Sequence, residues 1–283
     1  FYVRHYMPHL PYIQPGFIFS DEKEAFKELR RLHLNGETDA EQEKLWNKKP
    51  VEELYDWRTD PQELNNLAGD PAYGTIKNRL KSELHDWMVK TRDLGLLPEA
   101  EYMIRSEGST PFEYARESGD YQPRKILEVA EMVGVAKEEE LLEKLNDKDS
   151  GVRYWAVIGL MQLDNLNKSA KGALTNLLDD SSPSVQIAAA ETLCYNVFSS
   201  EAIETLGRWL FDDRPWVALQ AARSILLIGE VARPLIPMMY KKLEMLYGDP
   251  ASSRKFKDFN YSSFTGWAIE WALKELGENI QVN

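Results

Sequence analysis

The 283 residues predict two joined architectures: an α+β unit, with a small antiparallel sheet and helices, over residues 1–120, then an all-α solenoid of helical hairpins over residues 121–283. Three observations lead there. Aromatic, proline-broken extended segments open the chain. Strand signals vanish after about Thr110. Beyond that point one helical pattern recurs at Val152, Val185 and Val217, which is the signature of a repeat array.

In the stretch from Phe1 to Phe17, Pro8, Pro11 and Pro15 divide the chain into short extended pieces, read as a strand and then a loop. Asp21 with Glu24, and Thr38 with Glu41, have capping-box spacing, so two helices follow, parted by Asn35-Gly36. Glu53 to Trp57 alternate like a half-buried strand and run into the Thr59-Asp60-Pro61 turn. Asp70, with Pro71 at the first helical position, opens a long helix. Ile76, Leu80, Leu84, Trp87 and Met88 form its apolar face, and Gly95 ends it.

In the second half, Val152-Arg-Tyr-Trp-Ala156, Val185-Gln-Ile-Ala-Ala189 and Val217-Ala-Leu-Gln-Ala221 each carry a further apolar residue four positions on: Leu160, Leu193 and Ile225. An acidic turn precedes each (Asp147 and Asp149, Asp179 and Asp180, Asp212 and Asp213), which suits the positive end of a helix dipole. Upstream of each turn lies a first helix: EELLEKL, KGALTNLL and IETLGRWL. The small Ala lets helices approach closely while Val and Leu fill the layer between hairpins, so these are HEAT-like repeats. A fourth pair, Leu235 to Tyr247 and Thr265 to Leu276, keeps the spacing at Ala268, Ala272 and Leu276 after an inserted segment, GDPASSRKFKDFNYSS.

Hydrophobic residues at 43% and charged residues at 28% exclude a disordered or disulfide-stapled chain. The longest apolar candidate, around Ser224 to Gly229, falls far short of the roughly 20 residues that span a bilayer. The net charge of −12 is shared by both halves, so no segment is built to neutralise a phosphate backbone and nucleic acid is not an expected partner. The single Cys194 precludes an internal disulfide. A start that reads as the middle of a strand, FYVRHYM, creates the expectation of a fragment of a longer protein.

Catalytic motifs are mostly absent: there is no Cys-x-x-Cys, His-Glu-x-x-His, glycine-rich phosphate loop or Gly-x-Ser-x-Gly elbow. Cys194 falls on a repeat helix and reads as a buried thiol. Asp147-Lys-Asp149-Ser-Gly151 imitates a calcium loop, but its Gly comes one place early and Ile158 stands where the closing Glu belongs. No metal site is therefore expected. His5 and His9 have the even separation that lets an extended segment aim both at one side, although ordinary hydrogen-bonded histidines fit as well. Phe264, Trp267 and Trp271 form a stripe that suits repeat-core packing better than stacking on sugar rings. Arg254, Lys255 and Lys257 form the one dense basic patch, read as a solvated loop more readily than an anion site. Asn167-Lys-Ser169 and Asn260-Tyr-Ser262 match the glycosylation pattern weakly.

The stretch Glu53-Leu-Tyr-Asp-Trp-Arg-Thr-Asp-Pro-Gln-Glu-Leu-Asn-Asn-Leu-Ala68 resembles the ELYDL…DP.E..NLA segment near the C-terminus of many sulfatases. The opening Tyr2-Val-Arg-His-Tyr-Met-Pro-His-Leu-Pro-Tyr12 is similar to the corresponding strand of bacterial relatives of heparan N-sulfatase. Further likenesses follow at Leu84-His-Asp-Trp-Met88, Gly95-Leu-Leu-Pro-Glu-Ala100 and Ser109-Thr-Pro-Phe-Glu-Tyr114, after which related bacterial chains often continue into HEAT repeats. Such enzymes use a formylglycine, made within a Cys/Ser-x-Pro-x-Arg motif, and calcium held by an Asp/Asn cluster in an N-terminal α/β domain. Neither motif occurs in these residues, so no catalytic residue carries over.

The resemblance implies the C-terminal, non-catalytic portion of a sulfatase, packing on its own N-terminal catalytic domain and helping shape the substrate cleft. Calcium and formylglycine would belong to that domain, none to this chain. Arg4, His5 and His9 are the candidate substrate-binding groups, because their segment is polar, extended and matched to the family's strand. A sulfated glycan or other sulfate ester, and a protein partner or second copy docked on the repeats, are the implied partners. A periplasmic or extracellular location follows from the family alone. Two readings compete: a free-standing HEAT-repeat scaffold without hydrolase activity, and a carbohydrate-binding module.

Overall fold

The computed structural model describes residues 1–14, 23–247 and 259–280, with the side chains of Phe259 and Asn260 excepted. Among the described residues lie two strands, β1 (Tyr2–Arg4) and β2 (Glu52–Leu54). The helices of the first half are α1 (Glu24–Leu34), α2 (Ala40–Glu43), α3 (Gly74–Thr91), α4 (Glu99–Arg105) and α5 (Pro111–Glu117). Those of the second half are α6 (Pro123–Ala130), α7 (Glu138–Lys144), α8 (Ser150–Met161), α9 (Lys168–Asn176), α10 (Pro183–Asn196), α11 (Ser200–Leu210), α12 (Pro215–Leu227), α13 (Ile236–Tyr247) and α14 (Phe259–Glu275). No described helix is long and apolar enough to cross a membrane.

The sheet is small and antiparallel, as expected, with Tyr2 opposite Leu54, Val3 opposite Glu53 and Arg4 opposite Glu52. Its second strand is shorter than the Glu53–Trp57 reading. Past Leu54 the chain turns early, because the Asp56 carbonyl accepts from Thr59 N at 3.0 Å and Asp60 N at 2.8 Å. Two three-residue strands are too short to stand alone, and α3 packs on β1 and α6 to support them.

Several local readings shift. The helix after Gly36 is capped by Asp39, not Thr38: its carboxylate accepts from Glu41 N and Gln42 N, and Gln42 closes the capping box. Thr38 instead donates to Glu43 at 2.6 Å. Asp70 caps a 3-10 turn, Pro71–Tyr73, that leads into α3. That helix ends at Arg92, whose left-handed backbone (φ 54°) is held as its guanidinium bonds the carbonyls of Ala115, Ser118 and Tyr121, so Gly95 is not its stop. The apolar face of α3 is only partly covered. Met88 is buried, while Ile76 and Trp87 are exposed, because the two-stranded sheet is too narrow to cover an 18-residue helix. Pro15, Asp21, most of the 248–263 insertion and its Arg254, Lys255 and Lys257 lie outside the described residues.

From α7 onward the helices alternate as first and second members of hairpins. The second helices α8, α10, α12 and α14 stack in sequence, so a layered solenoid forms. All nine repeat positions, from Val152, Ala156 and Leu160 to Val217, Ala221 and Ile225, are at most 1% exposed. Gly159 on α8 has no side chain because Leu141 of α7 lies against its backbone. The acidic turns act as caps and ion-pair partners. Asp149 accepts from Gly151 N at 2.8 Å, and Asp180 receives both arms of Arg153 at 2.7 Å.

The first unit is braced onto this stack. Glu101 of α4 is 4% exposed and accepts hydrogen bonds from Ser182 at 2.5 Å, Arg105 at 2.8 Å and Ser150. Ser182 caps α10 and Ser150 begins α8, so one carboxylate joins two helix N-termini whose dipoles favour it. Arg105 also pairs with Asp149 at 2.6 Å, and Trp155 donates to the Leu96 carbonyl at 2.6 Å. The apolar core runs without a break from Met88 to Leu276, across position 120.

Candidate functional site

The inner face of the stacked second helices does not meet solvent everywhere. Segment 7–14 and the start of α4 cross it, and between them and α8, α10, α12 and α14 lies a cavity of about 560 Å3. Its walls are Met7, Leu10 and Tyr12 from the opening segment, Tyr154, Ile158 and Met161 from α8, Trp216, Leu219 and Leu227 from α12, and Phe264 and Ala268 from α14. The polar groups on the wall are His9, Gln14, Glu99, Glu191, Gln220, Arg223 and Ser224.

The repeat explains how they gather. Ile158, Glu191 and Arg223 each stand two residues after a repeat alanine, so the period puts them on neighbouring rungs of one face. Glu191 accepts from Ser224 Oγ at 2.6 Å and from Tyr195 OH at 3.2 Å. Burial pushes its pKa up, against the hydrogen bonds from Ser224 and Tyr195 and the nearby charge of Arg223. The Arg223 guanidinium donates to Gln14 Oε1. Desolvation lowers its pKa, although Glu191 and Tyr195 oppose the shift. Gln220 is engaged by Ser184 Oγ at 2.9 Å, and Glu99 by Tyr261 OH at 2.6 Å.

The three candidate residues have three different surroundings. Arg4 turns inward: its side chain has no exposure, and it bonds the carbonyls of Val133 at 2.8 Å, Glu131 at 3.2 Å, Val51 at 3.3 Å and His5 at 2.5 Å. It also pairs with the Glu131 carboxylate at 3.3 Å. His5 Nε2 stands 3.1 Å from Glu53, which also receives Tyr12 OH. Only His9 reaches the cavity. Its Nδ1 lies 2.6 Å from Gln162 Nε2 and accepts from it, which leaves Nε2 to carry the proton. Burial, reinforced by Lys49 and Lys48, lowers its pKa to about 4, so the ring is neutral.

Glu131 is the hub of a second cluster, with Lys81 at 2.6 Å, Tyr6 OH at 2.7 Å and His85 at 3.1 Å in addition to Arg4. Burial would raise its pKa, but the Lys81 hydrogen bond, the Arg4 charge and the Tyr6 hydroxyl outweigh that and hold it at about 2. The aromatic stripe divides: Trp271 is buried in the core, whereas Phe264 stands on the cavity wall with Trp267 edge-on to it at 5.2 Å. Asn167 caps α9 through Ala170 N.

The described residues do not bring together the groups that the metal and formylglycine of a sulfatase centre would require. Among the described residues no three His, Cys, Asp or Glu side chains are placed to share an ion. Cys194 is 5% exposed inside α10, and burial, with Glu191 nearby, pushes its thiol up to about 12. Asp147 and Asp149, the calcium-loop mimics, are engaged by Lys125 and Arg105, each at 2.6 Å.

An array of HEAT class, carrying a braced α+β unit, is the kind of protein that this fold and cavity define. The family model for HEAT repeats matches residues 170–254. An ulvan-active sulfatase of Formosa agariphila is 37% identical over 101 residues, which is 35% of this chain and 17% of that protein. Another ulvan-active sulfatase of the same organism is 41% identical over 51 residues, 18% of this chain and 10% of its own length. The chain thus carries a sulfatase-like portion together with HEAT repeats, and spans under a fifth of the length of these curated relatives.

Proposed function

We propose that this chain is the non-catalytic portion of a sulfatase whose substrate is a sulfated polysaccharide, with ulvan the example its relatives suggest. The sheet unit packs on a catalytic domain that supplies formylglycine and calcium, and the repeats form a rigid extension beside the substrate cleft. The observation that carries this reading is the state of the sulfatase-like unit. It is fastened to the repeats through Glu101 and Arg105, yet leaves Phe1, Trp57, Leu64, Ile76 and Trp87 exposed around a sheet too small to be self-sufficient. Exposed apolar groups of that size suit a surface covered by another domain. In this reading Arg4 and His5 fix the opening segment in place beside the cleft, and His9 belongs to the same segment.

Sequencing the gene upstream of Phe1 tests the proposal. An in-frame Cys/Ser-x-Pro-x-Arg motif supports it, and an initiation codon immediately before Phe1 overturns it. The isolated chain is expected to leave an aryl sulfate intact at any calcium concentration, and turnover in a contaminant-free sample contradicts the division of labour.

A further inference from the structure

The cavity has a chemistry of its own, separate from the sulfatase reading. Its volume of about 560 Å3 falls in the range of about 300–1,000 Å3 that holds small molecules. Tyr12, Trp216 and Phe264 offer ring surface, and Leu219, Met161 and Ala268 offer aliphatic surface. The acceptors on the wall already serve the protein: Glu191 takes Ser224 and Tyr195, Gln14 takes Arg223, and Gln220 takes Ser184. Two N–H donors stand apart from this pattern. The indole Nε1 of Trp216 is buried without a hydrogen-bond partner among the described residues, and His9 Nε2 carries the ring proton once Nδ1 is committed to Gln162.

We propose that this cavity is a binding site for an uncharged, largely apolar small molecule that presents a carbonyl or ether oxygen to Trp216 and His9. An apolar body recovers the burial of the ring and aliphatic walls, and an acceptor oxygen satisfies the orphaned indole N–H. A sulfated sugar is disfavoured. Its charge would have to be desolvated in a mostly apolar space where the one guanidinium, Arg223, is already engaged by Gln14 and lies near the charge of Glu191.

Nile red, neutral and bearing one ring carbonyl, is the probe, titrated into the whole chain at neutral pH. The expected result is one saturable site with blue-shifted emission, displaced by benzophenone and not by glucose 6-sulfate. Ala268→Phe and Leu219→Trp each fill the cavity from a different helix. Both are expected to bind at least about tenfold more weakly while keeping the wild-type circular dichroism spectrum. Trp216→Phe keeps the ring and deletes the donor, for an expected loss of about fivefold. Absence of saturable binding overturns the proposal, as does unchanged binding in a folded filling variant. Displacement by the sugar sulfate at lower concentration than benzophenone overturns the ligand class. None of these results bears on whether a sulfatase domain precedes the chain.

Discussion

Replacing Arg4 by Met separates a structural guanidinium from a substrate-binding one. Met keeps most of the apolar stem and deletes every donor. The loss is one ion pair to Glu131 and hydrogen bonds to the carbonyls of His5, Val51, Glu131 and Val133. Val51 O keeps a donor in His5 N at 3.0 Å, and Glu131 keeps Lys81 and Tyr6, so those acceptors are not abandoned. Val133, fully buried, loses the shortest of the three carbonyl bonds of ordinary length, and an orphaned buried acceptor costs about 1–3 kcal/mol. Together with the broken pair, the expected destabilisation is about 3–5 kcal/mol. Urea unfolding followed by far-ultraviolet circular dichroism measures it. Arg4→Lys keeps the charge but cannot reach all the acceptors at once, so it should fall between wild type and Arg4→Met. A change under about 1 kcal/mol in Arg4→Met would refute the clamp, because side chains held ready for a ligand contribute little to folding or oppose it.

Other outcomes follow from the same geometry. His9 has a folded pKa of about 4, below its ordinary 6.5, so the unfolded chain takes up the proton first. Its contribution is complete above pH 6.5 and is lost toward pH 4, at about 1.4 kcal/mol per pH unit. Subtracting His9→Gln from wild-type stability at each pH isolates that slope from the opposing contribution of Glu191, whose raised pKa favours folding as pH falls. Glu131 behaves in the same direction in a lower window: its depressed pKa stabilises above 4.5, and the benefit disappears as pH drops toward about 2, a loss that Glu131→Gln should abolish in acid titration. Glu101→Leu removes the acceptor shared by Ser150, Ser182 and Arg105. It should cost about 3–5 kcal/mol and speed amide exchange in α4 more than in α11. Gly134 has a φ of +74°, and a methyl there would stand 2.6 Å from Val51. Gly134→Ala should lower stability by about 1–3 kcal/mol in thermal melts, and a rise in Tm would count against the geometry.

The repeats were legible because their information is local. A helix pair declares its buried stripe within one period, and its partner layer is the next copy of the same pattern, so Val152, Val185 and Val217 could be aligned without coordinates. The presence of a small antiparallel sheet was legible for a similar reason, since short β-branched and aromatic runs bounded by proline and turn residues have few alternatives; which strands pair came from the structure. Cap positions shifted by a residue where a carboxylate outcompeted a hydroxyl, as Asp39 does Thr38.

Sequence order alone thus established a sheet unit followed by stacked hairpins, and the absence of familiar catalytic motifs. The fate of individual polar residues depended on partners far along the chain: Arg4 meets Glu131 127 residues away, His9 meets Gln162 at 153, and Arg223 meets Gln14 at 209. Nothing in the pattern around Arg4, His5 and His9 distinguishes a clamp from a ligand group. That distinction comes from burial and from which carbonyls lie within reach, and both are created only when the opening segment folds across the inner face of the repeats. The cavity arises in the same way, where two separately readable surfaces meet without filling the space between them.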